Sequence, residues 1–300
     1  MKKIAVGFVS AVLLVLSFQP VHAEDQRVLA IIDSAVDSSK IPSVIYEACF
    51  TISSTMGCTN GQTFKDSSGS YSFSEGKGSA NSPLWPSTQI GNLGTIYHGY
   101  NVTQAALTTS PGIKIVFIRM SGIAKANGMQ SADPEDPKSI IRALKWVSDN
   151  AEKYSIDAVS ISQSWVTPNA LALCSDKSAT LNVSSLTSKN IPVFAATGNN
   201  ASTTLVGFPS CVNGVTGVGA LITSTGLLET ATNKGPGLDV VAKNSINIVR
   251  YNGTAIDFTA TSAATPIAAS LYVKQTTYPT VDLFVNSFSK VLSVYPYISK

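Results

Sequence analysis

The stretch V-L-A-I-I-D, from Val28 to Asp33, decides the fold. An unbroken apolar run that ends in one aspartate is typical of a strand buried on both faces of a parallel sheet. A helical pattern extends from Pro137 to Tyr154. Comparable short apolar runs recur at Lys114 to Ile118, Ala158 to Ile161, Ile191 to Ala196 and Val215 to Val218. Strands that alternate with helices predict an α/β fold, with a mostly parallel central sheet and helices on both faces.

The composition indicates a globular chain with a substantial core. The sequence has 300 residues, of which 44% are hydrophobic and 13% are charged. This charged fraction lies well below the roughly 25% of an average globular chain, which argues against disorder and against a coiled coil. The formal net charge is only +3. So small a positive balance excludes nucleic acid as an expected partner.

The first residues have the organisation of a cleaved signal peptide. Lys2 and Lys3 precede an apolar run from Ile4 to Leu16, and Val21-His22-Ala23 suits a cleavage site. The alternative is a membrane anchor, but the run is shorter than the ~20 residues that a spanning helix needs. We therefore expect a signal peptide over 1–23, no stable membrane anchor, and a secreted or periplasmic chain over 24–300. That chain is predicted to form one domain, with a Ser/Gly-rich surface insertion around 49–92.

Four cysteines predict two disulfides. An even number of cysteines in a chain sent to an oxidising compartment favours pairing. Their spacing favours Cys49 with Cys58, and Cys174 with Cys211. A zinc site is the alternative, but there is no CxxC pair, and His98 is the one histidine left after the leader is removed. We therefore predict no metal ligands.

Three segments carry side chains suited to catalysis. Asp33 follows its strand directly, where ligands bind in open α/β sheets, although such aspartates also cap helices. His98 is followed by glycine at a predicted helix start, which suits proton transfer, although a lone histidine is often structural. Ser262 precedes a small-residue helix whose first turn is predicted to hold Pro266. The alternative for Ser262 is that its hydroxyl caps that helix.

The order Asp33, His98, Ser262, each in its own local setting, resembles the subtilisin-like serine protease family. The segment P-V-F-A-A-T-G-N-N, from Pro192 to Asn200, is similar to the strand and turn that deliver the family's oxyanion-hole asparagine, here Asn199. S-I-S-Q-S, from Ser160 to Ser164, resembles its substrate-binding strand. The resemblance extends from about Arg27 to Val291. It implies a subtilisin-like fold, and substrate-binding residues at Ser162, Gln163, Ser164, Ala196 and Gly198.

The resemblance also implies the catalytic roles. Ser262 would be the nucleophile and His98 the general base and acid. Asp33 would orient the imidazole, and Asn199 would donate to the oxyanion. No phosphate loop, GxGxxG or G-x-S-x-G elbow occurs, so nucleotide chemistry and an α/β-hydrolase esterase have no support.

Four positions depart from the family pattern. Ala260 stands where the family usually has glycine, and Tyr100 adds bulk beside His98 that would narrow the cleft. Gln163 and Ser164 replace an apolar residue and a glycine, which would alter peptide docking. Calcium is frequent in the family, but no acidic loop such as D-x-D-x-D-G appears, so the cofactor stays unknown.

The sequence thus predicts a secreted serine endopeptidase of the subtilisin type, acting on a protein or peptide substrate. The alternative is a catalytically impaired relative that binds peptides or a protein partner. Asp33 lies only ten residues beyond Ala23, which leaves no room for an N-terminal pro-segment. We therefore expect that the chain folds either unaided, stapled by its disulfides, or with a separate folding partner in the export compartment.

Overall fold

The computed structural model describes residues 27–51, 57–67, 69–82, 89–90, 93–126, 129–133 and 137–275. The signal peptide predicted at 1–23 lies outside these residues. Across these ranges no helix is both long enough and apolar enough to span a bilayer.

The described strands are named in chain order. They are β1 (Val28–Asp33), β2 (Val44–Thr51), β3 (Gln62–Asp66), β4 (Gly69–Glu75), β5 (Gln89–Ile90), β6 (Lys114–Arg119), β7 (Gly122–Ala126), β8 (Met129–Asp133), β9 (Ile156–Ile161), β10 (Val193–Ala196), β11 (Val215–Ile222), β12 (Leu227–Leu228), β13 (Val240–Lys243), β14 (Ser245–Val249) and β15 (Ala255–Thr259).

The described α-helices are α1 (Leu93–Ile96), α2 (His98–Thr109), α3 (Lys138–Asn150), α4 (Pro168–Ala172), α5 (Lys177–Thr187) and α6 (Thr261–Lys274). Two 3₁₀ turns, Ser38–Lys40 and Leu173–Ser175, complete the described elements.

The main sheet has the order β12-β11-β10-β9-β1-β6-β2-β4-β3, with β13 paired to β11. The pairs that join β13, β11, β10, β9, β1, β6 and β2 are all parallel, whereas β12, β4 and β3 are antiparallel. All six residues of β1 are buried, as the apolar run predicts. The predicted mostly parallel α/β sheet is confirmed.

Two hydrophobic clusters cover the two faces of this sheet. Odd-numbered β1 residues such as Leu29 and Ile31 pack with α2 and α6 on one face. Even-numbered ones such as Ala30 and Ile32 pack with α3 and α5 on the other. Side chains alternate between the faces of a strand, so a strand covered on both sides must be apolar throughout.

The described part of the Ser/Gly-rich stretch 49–92 extends the sheet. β4 pairs antiparallel with β2, and β3 pairs antiparallel with β4. The predicted disulfide Cys49–Cys58 connects the end of β2 to the chain that leads into β3. The second predicted pair, Cys174–Cys211, is also present, and the described residues include no free cysteine.

One detail of α6 was predicted wrongly. Pro266 is not in the first turn, because the helix begins at Thr261 and Pro266 lies five residues further on. A proline in a helix interior lacks the N–H that would bond the carbonyl four residues earlier. In α6 that carbonyl belongs to Ser262.

Candidate active site

The candidate site is a cleft at the carboxyl ends of the central strands. In the sheet, β1 lies between β9 and β6. The strands β10 and β11 lie beyond β9, and the strands β2, β4 and β3 lie beyond β6, so the sheet grows in opposite directions from β1. This is a topological switch point, where ligands bind in open α/β sheets. The cleft has a volume of about 350 Å³ and lies between the loops after β9 and β10 and the first turns of α2 and α6.

Asp33 and His98 form a close pair at this edge. The Asp33 carboxylate is fully buried, and its Oδ1 lies 2.8 Å from His98 Nδ1. Oδ1 also accepts the backbone N–H of Ser34 at 2.7 Å. An ionised carboxylate only accepts hydrogen bonds, so the shared proton belongs to Nδ1. The other ring nitrogen, Nε2, is thereby left free to act as a base.

Local structure fixes where the imidazole lies. The first turn of α2 is tied to the end of β1, because Gly99 N donates to Ser34 Oγ at 3.0 Å and Tyr100 N donates to the Ala35 carbonyl at 3.1 Å. Gly99 is required by close approach, since a Cβ there would collide with the Phe117 ring. The helix therefore begins directly against the strand end, with His98 at its first position.

The pKa of His98 responds to two opposing influences. Burial of the imidazole lowers the pKa, while the charge of Asp33 and its hydrogen bond raise it. The effects of Asp33 together outweigh burial, so the pKa of His98 is raised above the ordinary 6.5. The ring keeps 22% of its surface exposed, and its neighbour Phe258 lies edge-on with the ring centroids 5.4 Å apart.

Ser262 is the second residue of α6. The N-cap of this helix is Ala260, which has no side-chain cap bond, so the alternative that Ser262 caps the helix is wrong. Ser162 Oγ donates to the Ser262 carbonyl at 3.1 Å, taking the place of the N–H that Pro266 lacks. Ser262 Oγ donates in return to the Ser162 carbonyl at 3.5 Å. These two hydrogen bonds therefore connect the loop after β9 to the first turn of α6.

Ser262 and His98 line the same cleft. Among the hydrogen bonds of the described residues, none joins the Ser262 hydroxyl to the imidazole. Its observed partner, the Ser162 carbonyl, is a long contact at 3.5 Å. Catalytic hydrogen bonds in unliganded sites are often long and tighten when substrate binds. The proposed proton transfer therefore requires the Ser262 hydroxyl to exchange this long contact for one with the imidazole.

Asn199 is held in a defined orientation. Its Oδ1 accepts the backbone N–H of Thr261 at 3.2 Å and the Thr261 hydroxyl at 2.8 Å. A backbone N–H can only donate, so the amide must present its oxygen to Thr261. The amide nitrogen is left for the cleft, which Asn199 lines beside Ser262.

Asn233 is a positioning residue that the sequence pattern did not reveal. Its side chain is fully buried, and its Oδ1 accepts the backbone N–H groups of Asn200 and Ser202 at 2.9 and 3.1 Å. Its Nδ2 donates to the Thr197 carbonyl at 3.0 Å. These three hydrogen bonds from one side-chain amide hold the turn that carries Asn199 in place. No local motif marks it, whereas Thr261 could have been found from its place directly before Ser262.

The residues predicted to bind substrate all line the cleft. These are Ser162, Gln163, Ser164, Ala196 and Gly198. Gly198 has a φ of +105°, and a Cβ there would lie 2.5 Å from the Asn233 amide nitrogen, so glycine is required at this turn.

Tyr100 does not narrow the cleft, contrary to the sequence prediction. Its side chain is 6% exposed and packs edge-on against the Tyr251 ring, and its hydroxyl accepts a hydrogen bond from Gln104 Nε2 at 3.3 Å. The side chain follows His98 by two positions in α2, which turns it by about 200° to the opposite side of the helix.

A metal site has no support from the residues that the structure describes. They contain no group of three or more His, Cys, Asp or Glu side chains placed to hold an ion.

The fold and the cleft place this chain in the class of α/β proteins that carry an aspartate, a histidine and a serine at the carboxyl edge of a parallel sheet. The sequence model of the subtilase family matches residues 25–282. The chain belongs to this family, as its motifs predicted.

Solved structures with the same fold include three proteases. The protease domain of PatA has 16% sequence identity and a TM-score of 0.55, covering 82% of this chain and 78% of that one. The prenylagaramide maturation protease PagA has 18% identity and a TM-score of 0.52, covering 87% and 82%. A lanthipeptide protease has 14% identity and a TM-score of 0.55, covering 88% and 79%. Among curated proteins no match is found.

Proposed function

We propose that this protein is a secreted serine endopeptidase that cleaves peptide bonds through Ser262, His98 and Asp33. The observation that carries the proposal is the 2.8 Å contact between His98 Nδ1 and Asp33 Oδ1 in a cleft that Ser262 and Asn199 also line. This contact fixes the imidazole tautomer whose Nε2 is free to accept a proton. Membership of the subtilase family supports the same chemistry.

The proposed first step forms an acyl-enzyme. Ser262 Oγ attacks the scissile carbonyl carbon, and His98 Nε2 takes the hydroxyl proton as the C–O bond forms. The imidazolium then gives that proton to the leaving amine as the C–N bond breaks. Water attacks the ester in the second step, and His98 serves again as base and then as acid. Asp33 stays ionised throughout and stabilises the imidazolium.

The negative charge that develops on the carbonyl oxygen needs donors in place beforehand. Asn199 Nδ2 is one, since its amide is oriented by Thr261. The backbone N–H of Ser262 is another, because the first N–H groups of a helix have no partner within the helix. The positive end of α6 favours the same charge.

Export to an oxidising compartment is supported by the two disulfides, Cys49–Cys58 and Cys174–Cys211. The predicted signal peptide over 1–23 belongs to the same proposal.

The test is covalent labelling with a fluorophosphonate probe. Attack by Ser262 Oγ would form a P–O bond and expel fluoride, so the wild-type chain is expected to be labelled and the Ser262→Ala chain is not. Ser121→Ala is the matched control, because Ser121 lines the same cleft but has no proposed role. Labelling of the Ser262→Ala chain at the wild-type rate would overturn the assignment.

A second candidate is a peptide-binding protein without peptidase activity. The observation that favours it is the Ser262 hydroxyl, which faces the Ser162 carbonyl instead of His98. This candidate predicts that a folded wild-type chain binds peptides from a library without cleaving them and without reacting with the probe. Cleavage of any library peptide that is lost in the Ser262→Ala chain would decide for the endopeptidase and give its preference.

A further inference from the structure

The side chain of Gln163 lies against the Asp33–His98 pair. Its Nε2 is 3.1 Å from Asp33 Oδ1 and 3.3 Å from His98 Nδ1. Gln163 follows the end of β9 by two residues and lines the cleft beside His98. The sequence assigned this residue to substrate binding, yet the described hydrogen-bond contacts of its amide nitrogen are with the pair itself.

Hydrogen-bond chemistry decides what this amide does. An ionised carboxylate cannot donate, so the amide must present its N–H and not its carbonyl oxygen to Asp33. The Nδ1 proton of His98 is directed at the same oxygen from 2.8 Å, so Nδ1 has no lone pair for Gln163. The amide and the imidazole therefore both donate to Asp33 Oδ1.

This oxygen carries an unusual share of donors. It accepts from Ser34 N, His98 Nδ1 and Gln163 Nε2, whereas Asp33 Oδ2 is buried with no hydrogen-bond partner. Each hydrogen bond that a carboxylate oxygen accepts reduces the negative potential that acts on its other hydrogen-bond donors. The Gln163 amide thus competes with the imidazole for one atom.

We propose that Gln163 is a positioning residue that lowers the basicity of His98 by sharing Asp33 Oδ1 with the imidazole. The sharing keeps His98 neutral, and so able to accept a proton, to a lower pH than Asp33 alone would allow. The proposal rests on the proposed function only in giving His98 the role of general base. The quantity that it predicts, the pKa of His98, is measurable without any activity.

The hydrogen bonds that other charged and titratable groups near the pair make in the structure go to other residues. Arg119 on β6 is in register with Asp33, but its Nε and Nη1 donate to two backbone carbonyls, and its Nη2 is buried without a hydrogen-bond partner. The hydroxyl of Tyr97, next to His98 in the chain, donates to a side-chain amide oxygen at 3.0 Å. Asp37 caps the 3₁₀ turn over Ser38–Lys40. Among the described residues, Asp33 and Gln163 are the side chains in polar contact with Nδ1.

The experiment follows the pKa of His98 by NMR titration of the full chain. The parent carries His22→Gln, which leaves His98 as its one histidine, and Ser262→Ala, which prevents self-digestion. Gln163→Met keeps the length of the side chain and removes its donor. We expect the pKa of His98 to rise by about half a unit to one unit in this variant.

Gln104→Met is the matched control. Gln104 lies on α2, like His98, and its amide donates to Tyr100 Oη at 3.3 Å, outside the cleft. The same change of side chain there should leave the pKa of His98 where it is in the parent.

The direction of the shift separates this role from simple packing. A methionine only makes the surroundings of the imidazole less polar, which would lower the pKa. A second variant, Gln163→Glu, adds a carboxylate beside the pair and should raise the pKa further than Gln163→Met does. An unchanged or lowered pKa in folded Gln163→Met would overturn the proposal, and so would a rise of KM alone in the active chain with no shift of its pH profile.

Discussion

At the scale of single residues, the pKa of His98 sets when the site can work. The imidazole must be neutral to accept the Ser262 proton, and Asp33 raises its pKa above 6.5 despite burial. We therefore expect kcat/KM to rise with pH and to reach half its maximum above pH 6.5. Stopped assays on a stable peptide substrate across about pH 5 to 9 would measure this profile. A midpoint below 6.5 would contradict the raised pKa.

The same titration affects stability, with a definite sign. A histidine whose pKa is raised on folding contributes stability that is fully present below its unfolded pKa and is lost as the pH rises through the folded value. The Asp33–His98 pair should therefore stabilise the fold most below pH 6.5, where the expected activity is below half its maximum. Chemical denaturation of the Ser262→Ala chain should show this decline, and the additional change His98→Gln should remove it.

Asn199 gives the third prediction at this scale. Asn199→Ala should lower kcat by about 10² to 10³-fold with little change in KM, because the lost donor acts on the transition state. Thr261→Val removes one of the two groups that orient the amide and keeps the backbone N–H. It should therefore lose less activity than Asn199→Ala. An equal or larger loss in Thr261→Val would show that Thr261 has a more direct role.

At the scale of elements, α6 begins from a strained residue. Ala260 has φ +68° and ψ −162°, a region that is essentially restricted to glycine and costs other residues about 1–3 kcal/mol. Ala260→Gly should therefore raise the free energy of unfolding by about 1 kcal/mol, after the extra entropy that glycine loses on folding. Urea denaturation would measure the gain. Ala263→Gly, inside the same helix, is the control and should be destabilising.

The elements differ in how visible they are in the sequence. Five of the seven parallel strands, β1, β6, β9, β10 and β11, were predicted, because a strand covered on both faces carries a mostly apolar run. β3 and β4 were missed, since serines separate the aromatic residues Tyr71 and Phe73 and give the stretch the composition of a loop. β2 was missed as well, because it contains the charged Glu47, which is buried and accepts two backbone N–H groups.

The candidate site shows the same division. Motifs locate Asp33, His98, Asn199 and Ser262 because each lies at a strand or helix end that its neighbours in the sequence define. The direction of a loop side chain is set by tertiary contacts, so nothing near Gln163 in the sequence reveals that its amide reaches Asp33. Asn233 is hidden for a similar reason, since its partners lie more than thirty residues away.

At the scale of the whole molecule, the two disulfides should differ in their contribution to stability. Cys174–Cys211 closes a sequence separation of 37 residues and Cys49–Cys58 one of 9. A longer closed loop restricts the unfolded chain more, by about 1 kcal/mol for this ratio. Replacing both cysteines of the longer loop by serine should therefore destabilise the fold more than the same change in the shorter one. Denaturation midpoints in the reverse order would refute this.

The way the sheet ends bears on how the protein behaves at high concentration. Among the described strands, β12 and β13 both pair with β11 at one end of the main sheet, whereas β3 lies at the other end with five exposed residues, including Phe64. Such an edge offers a row of backbone groups on which another copy of the chain could add a strand. Lys65 and Asp66 lie within it, and charged side chains on an edge strand oppose that addition. Because Asp66 is also paired with Arg142 at 2.8 Å, surface changes intended to improve crystallisation should leave both charged residues of this edge unaltered.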